Sequence, residues 1–153
     1  MDIISYVTEE VRRQGHDTTN LDGIERVGWM LDAWSYALQA SDRPTTSDAI
    51  ALGQLIERLE NINGIRTHGV MIRTATGVKV FPEFPQVQRL LNTLFEQVGA
   101  LTPIEFYKEF ELIHPFGDGN GRTGKVLLNW LNGSLLEPIF PPNDLFGYPI
   151  RNP

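Results

Sequence analysis

The stretch His114-Pro-Phe-Gly-Asp-Gly-Asn-Gly-Arg-Thr-Gly-Lys125 decides both the fold and the chemistry of this chain. Glycine accepts positive φ and asparagine tolerates it, so Gly119, Asn120 and Gly121 can turn their backbone N–H groups toward a common point. A nest of this kind at the start of a helix binds phosphate. Arg122 then lies where the helix macrodipole disfavours a cation, at a cost of roughly 0.3–1 kcal/mol unless an anion is present. Asp118 offers a hard oxygen ligand suited to Mg²⁺, which takes one or two carboxylates and completes its shell with phosphates and water. His114, with a reference pKa of about 6.5, can accept a proton from a hydroxyl at neutral pH. Base, metal ligand, phosphate cradle and cations together describe attack by a hydroxyl on a nucleotide phosphate.

The flanks of this stretch predict helices. Thr102-Pro-Ile-Glu105 reads as a helix start, with Thr at the N-cap, Pro at the first position and Glu closing a capping box. That helix runs to about Ile113. Beyond the loop, Val126, Leu127, Trp130 and Leu131 recur at helical spacing and Gly133 fits a C-terminal stop. Residues 103–132 are therefore read as helix, loop and helix.

The spacing resembles the signature of the Fic family, His-x-Phe-x-(Asp/Glu)-Gly-Asn-Gly-Arg-x-x-Arg, at every defined position except the last, which is Lys125. The resemblance implies a mainly α fold, a Fic-like helical bundle with a small β-hairpin flap beside the active-site loop. It also implies a protein adenylyltransferase that moves AMP from ATP to a Ser, Thr or Tyr hydroxyl of a target protein, self-modification being one route. His114 would be the base, Asp118 the Mg²⁺ ligand, and Gly119, Asn120, Gly121, Arg122 and Lys125 the phosphate contacts. Many members carry an inhibitory (Ser/Thr)-x-x-x-Glu-(Gly/Asn) motif whose Glu pairs with the second signature Arg. Thr18-x-x-x-Asp22-Gly23 resembles it, with Asp for Glu, so Asp22 and Lys125 are expected to form a matched replacement pair. That pair is looser than its parent, because Lys is a point charge and Asp is shorter by one methylene. The plain alternative is that Asp22 is an acid in the first turn of a helix.

Val70-Met-Ile-Arg73 and Val78-Lys-Val-Phe81 alternate around Thr74-Ala-Thr-Gly77 and predict a β-hairpin over 70–81. The resemblance makes it the flap, with Val70, Met71 and Ile72 aligning the target by main-chain pairing. Four further helices are expected. The first lies within 2–14 and the second carries Val27, Met30, Leu31, Trp34 and Leu38, so that 1–40 holds the N-terminal helices. The third is capped by Ser47 and puts Ile50, Leu52, Leu55, Ile56, Leu59 and Ile62 in the core. The fourth uses Val87 to Val98 and ends at Gly99. The 138–153 tail holds five of the ten prolines and reads as irregular. The whole, 1–153, reads as a single Fic-like domain.

A net charge of −6 argues against a broad nucleic-acid footprint. The chain has no cysteines, which excludes disulfides and thiolate metal sites. No apolar run is long enough for a bilayer, and residues 1–20 contain Asp2, Glu9 and Glu10 with no signal-peptide core. These features read as a cytoplasmic protein without a membrane partner, and an effector delivered by a specialised secretion system shares them. His16, His68 and Arg66 receive no role. The departure at Lys125 keeps two alternatives: a Fic-like transferase of another phosphoryl or nucleotidyl group, and a nucleotide- or partner-binding module without useful turnover.

Overall fold

The computed structural model describes residues 1–74 and 77–146, and most of its helices begin where the sequence supplies a side-chain acceptor. In α1 (Ile3–Arg13) the Asp2 carboxylate accepts from the Ser5 N–H, and in α2 (Leu21–Gln39) Asn20 accepts from Gly23. Thr45 with Asp48 closes a capping box on α3 (Thr46–Ile56), and Thr102 with Glu105 does so on α5 (Pro103–Ile113). α4 (Val87–Glu96) is entered through the 3₁₀ turn Phe84–Gln86. α6 (Asn120–Asn132) ends at Gly133, whose φ of 69° closes the last turn.

The helices pack into a mainly α bundle. α5 and α6 lie together, and α6 also meets α2 and α3, so the signature helix is central. Tyr6, Val7 and Val11 of α1, Met30 and Trp34 of α2, Leu52 and Ile56 of α3, Leu91 of α4, Phe106 and Phe110 of α5, and Val126 and Leu127 of α6 share one core. Asn129 fastens the segment after α6: its Oδ1 accepts from the Ile139 N–H at 2.8 Å and its Nδ2 donates to the Ile139 carbonyl at 3.2 Å.

The antiparallel hairpin pairs β1 (Met71–Thr74) with β2 (Gly77–Val80), Met71 opposite Val80 and Thr74 opposite Gly77. Val70 lies just outside β1, where its carbonyl accepts the Phe81 N–H at 3.4 Å. Met71 and Val80 are both about two-thirds exposed, so the hairpin lays little of itself on the core. Residues 75–76 and 147–153, including that part of the 138–153 tail, lie outside the described residues.

Three expectations change. Thr45 caps α3 in place of Ser47, because only Thr45 faces Asp48 in reciprocal bonds. α3 stops at Ile56, leaving Leu59 at 80% and Ile62 at 65% exposure outside the core. The cause is polar: Glu57 leaves helical geometry, with φ −131° and ψ 86°, and its carboxylate meets two arginines. Leu38 is exposed, because α2 turns Ala33, Trp34 and Ala37 inward, and a residue one step past Ala37 lies about 100° round the helix.

Gly53 faces the Phe116 ring so closely that an added Cβ would lie 2.2 Å from Phe116 Cζ. Gly53→Ala should therefore overpack the core and cost about 1–3 kcal/mol. Thermal unfolding would show a midpoint lower by roughly 2–4 °C per kcal/mol. An unchanged midpoint would mean that the ring moves aside freely.

Candidate active site

The loop between α5 and α6 is held from within. His114 adopts φ 52° and ψ 63°, the one positive φ of a non-glycine residue among the described residues. Asn120 closes the loop behind it, its Oδ1 accepting the Phe116 N–H at 2.8 Å and its Nδ2 donating to the Phe116 carbonyl at 2.9 Å. Phe116 is fully buried and anchors the turn. Asn61 Nδ2 donates to the Asp118 carbonyl at 2.8 Å, bringing the turn that follows α3 into the wall. Gly119 has φ 80°, and a Cβ there would meet Ile56 Cγ2 at 2.9 Å, so geometry and space both call for glycine.

Among the described residues no side chain caps α6. The Thr123 N–H is the first to find a helical acceptor, the Gly119 carbonyl at 2.9 Å. The N–H groups of Asn120, Gly121 and Arg122 precede it and are the unsatisfied donors of a helix start. The Gly119 N–H is not among them, because it donates to Asp118 Oδ1 at 2.7 Å. The nest is thus shifted one residue from the expected one.

The charges form a chain. Arg26 donates to Glu57 Oε1 at 2.6 Å and Oε2 at 3.2 Å, and Arg122 donates to the same Oε1 at 2.8 Å. Arg26 also pairs with Asp22, and Arg122 reaches Asp118 Oδ1 at 3.4 Å. Asp22 lies one turn before Arg26 and bonds His16 Nδ1 at 3.1 Å.

The expected pair between Asp22 and Lys125 does not form. Lys125 Nζ pairs instead with Glu10 Oε2 of α1 at 2.9 Å, both groups buried. Asp22 is held in the first turn of α2 by its neighbours, where its short side chain meets Arg26 one turn on. Thr18 accepts a long bond from Arg12, 3.4 Å, and Gly23 allows close approach to Asp17, whose carbonyl would lie 2.0 Å from an added Cβ. Burial alone would lower the Lys125 pKa, but Glu10, Tyr107 and Glu111 outweigh it and hold the ammonium above its ordinary value. Burial pushes the Glu111 carboxyl up to about 7. Beside Lys125 a cavity of about 550 Å³ opens, lined among others by Glu10, Arg13, Tyr107 and Phe146.

His114 is sealed. Its ring lies under Phe81, centroids 4.0 Å apart and planes 13° from parallel, with no exposed surface. Among the described residues neither ring nitrogen has a hydrogen bond of good geometry, the Glu111 backbone alone exerting a pull on the ring. Burial first, and the Arg66 charge second, lower its pKa to about 4, against a weaker opposing pull from the Glu111 backbone. Arg66, assigned nothing from sequence, donates to the carbonyls of His114, Ile113, His68 and Pro82. One signal was present: no acidic residue lies between Glu60 and Glu83, so Arg66 has no local carboxylate. His68 is exposed and lies against Gly117, where a Cβ would approach its Cε1 to 3.1 Å.

No group of three or more acidic or histidine side chains is poised around a metal among the described residues. A magnesium ion carried on a nucleotide needs less than that. Asp118 fits it: the side chain is 29% exposed, Oδ1 is engaged, and Oδ2 has no protein partner among the described residues. No helix of the described residues is long and apolar enough to cross a membrane.

The sequence profile of the Fic/DOC family matches residues 44–132, more than half of the chain. A probable protein adenylyltransferase of Aquifex aeolicus (strain VF5) is 45% identical over 49 residues, which are 32% of this chain and 13% of that protein. A Fic family protein from Desulfovibrio desulfuricans G20 superposes with a TM-score of 0.69 at 20% identity, covering 83% of this chain and 46% of its own. A Fic-domain signalling protein from Bacteroides thetaiotaomicron VPI-5482 gives 0.69 at 19% identity, with 82% and 59% covered. Fic-1 from C. elegans gives 0.66 at 20%, with 88% and 49% covered. This chain thus spans about half the length of these solved chains and a small part of the Aquifex protein, and the likeness to the solved chains is one of fold.

His114 gives the site a pH signature. The native state holds the ring neutral down to about 4, whereas the unfolded chain binds a proton below its ordinary value of 6.5. Stability from this group is present above about 6.5 and is lost as pH falls toward 4, by an amount of the order of 3 kcal/mol. Glu111, with its pKa raised to about 7, acts oppositely: its contribution is present below 4.5 and is lost as pH rises through 7. Denaturant unfolding of the native chain and His114→Gln between pH 4 and 7 separates the two. The native chain should lose stability relative to His114→Gln as pH falls, and a constant difference would mean that His114 titrates normally.

Proposed function

This chain belongs to the Fic/DOC family, and from that premise we propose that it is a protein adenylyltransferase, transferring AMP from ATP to a Ser, Thr or Tyr hydroxyl of a protein. The observation that carries this reading is the start of α6, where three N–H groups and no capping side chain stand beside Arg122 and Asp118. Such a terminus calls for an anion of phosphate type. The acceptor oxygen attacks the α-phosphorus, the bond to the β-phosphate oxygen breaks, and pyrophosphate leaves. A ring nitrogen of His114 takes the hydroxyl proton. The N–H groups of Asn120, Gly121 and Arg122 meet the phosphates, and their fixed dipoles stabilise charge as it develops. Asp118 would hold Mg²⁺, which supplies neutralisation of phosphate charge. The unpaired edges of the hairpin, from Val70 through Met71 and Ile72, suit an extended target segment. The acceptor is a protein, with neither nucleic acid nor membrane involved, and the reaction belongs to the cytoplasm.

Restraint of the site is assigned to Glu10 in place of Asp22, since the carboxylate already paired with Lys125 competes with a nucleotide phosphate for that cation. A second reading rests on Lys125 itself: a point charge lacks the two-pronged grip of arginine. With it the donor could sit differently and another phosphoryl or nucleotidyl group be moved.

Incubation with α-labelled ATP, Mg²⁺ and a cell lysate tests the proposal. The native chain should label protein, His114→Ala should lower the rate by about 10²–10⁴-fold, and Lys125→Arg should keep it. Glu10→Gln should label faster than the native chain, and equal or slower labelling removes Glu10 as a restraint. An intact mass shift other than that of AMP selects the second reading, and silence from every variant rejects both.

A further inference from the structure

We propose that Phe81 is a lid on His114 and that Arg66 is the latch positioning both, so that an acceptor hydroxyl reaches the imidazole only after the hairpin carries Phe81 away. The inference rests on the reading of His114 as the base and concerns what uncovers it.

The closed state is well built on one side. Arg66 is 4% exposed and spreads its planar fork over four carbonyls: Nε to His114 at 2.7 Å, Nη1 to His68 at 3.0 Å, and Nη2 to Pro82 at 2.5 Å and Ile113 at 3.2 Å. The His114 and Ile113 carbonyls end α5, the negative pole of its dipole, which offsets the guanidinium charge in the absence of a carboxylate. One side chain thereby fixes the backbone that carries the base and, through Pro82, the residue next to Phe81. It also steadies the left-handed backbone of His114, which its surroundings must over-determine.

On the other side the closed state is costly. Both imidazole nitrogens are buried and, among the described residues, lack a hydrogen bond of good geometry, with only the pull of the Glu111 backbone on the ring, so in this state no acceptor hydroxyl or water reaches it. A base held this way is idle. Displacing Phe81 would admit water or a hydroxyl to the ring and supply the missing hydrogen bond. The hairpin that carries Phe81 is lightly tethered: its first bond after β2, Phe81 N–H to Val70, is long at 3.4 Å, and Met71, Val78 and Val80 are exposed. Buried ring and latched backbone against poorly satisfied ring nitrogens make an element that can rest in either state.

Carbethoxylation by diethyl pyrocarbonate, read residue by residue by mass spectrometry, measures the lid without nucleotide. His68 is exposed and serves as the internal reference. In the native chain His114 should react at least about tenfold more slowly than His68. Phe81→Ala should remove most of that protection, and Phe81→Tyr should retain it. Arg66→Lys keeps the charge and loses the fork, so it should lose protection at His114 while His16 and His68 react as before. Imidazole NMR of Phe81→Ala should show the His114 pKa moved upward toward its ordinary value. Native His114 reacting as fast as His68, or protection persisting in Phe81→Ala, overturns the lid; native protection in Arg66→Lys overturns the latch. None of these readouts requires AMP transfer, so a chain that fails to label protein leaves them standing, and a chain that labels protein with His114 open throughout loses only this inference.

Discussion

Glu57 is the interaction on which the site depends. It is 3% exposed, and it lies between Arg26 of α2 and Arg122 of α6. Without Glu57, Arg122 would be a buried cation left with only a 3.4 Å contact to Asp118 and Arg26 would keep only the exposed Asp22, while Glu57 alone would be an uncompensated buried anion. A buried ionic group of this kind adds little net stability compared with well-packed apolar residues; what it adds is register. It requires α2, α3 and α6 to meet at one depth and one rotation. It also ends α3, since the carboxylate reaches both arginines only after the backbone has left the helix at Ile56. The position of Asn61, and through it the Asp118 carbonyl, follows from that early ending.

Around this point the molecule collects polar atoms that go unused. Among the described residues, Arg122 Nε, Thr123 Oγ1 and Asn61 Oδ1 are buried without partners, and the His114 nitrogens lack a hydrogen bond of good geometry. Buried polar groups are nearly always bonded, so a cluster of exceptions marks a place shaped for something else. The start of α6 adds N–H donors of its own. Stability has been withheld here while the capping boxes of α3 and α5 are fully satisfied elsewhere, and the contrast separates scaffold from site.

Features set by neighbours a few residues apart were legible in the sequence. The capping box at Thr102 and Glu105, the glycine stop at Gly133 and the hairpin alternation obey local rules, and the elements stand close to where those rules put them. The signature loop was legible because its chemistry is contiguous. Asp22 shows the limit: the local reading, an acid in the first turn of a helix, describes its surroundings, and the long-range pairing with Lys125 does not. The partner of Lys125 is Glu10, 115 positions away, and Arg66 meets His114 across 48. Nothing in a local pattern names such partners. The overlong core expected for the third helix failed similarly, because a polar demand from two other helices outweighed the apolar period continuing through Leu59 and Ile62.

The pairing of Glu10 with Lys125 has a further consequence in time. α1 leaves the ribosome before α6 exists, because Lys125 is made 115 residues after Glu10. At about 5–20 residues per second the interval is roughly 6–23 s. Through it Glu10 belongs to a short amphipathic helix whose carboxylate has no cation from α6 and whose apolar face has no α6 to cover it. The nascent chain therefore cannot complete the surroundings of Lys125 piecemeal, and they come into being only once α6 has been made and has met α1.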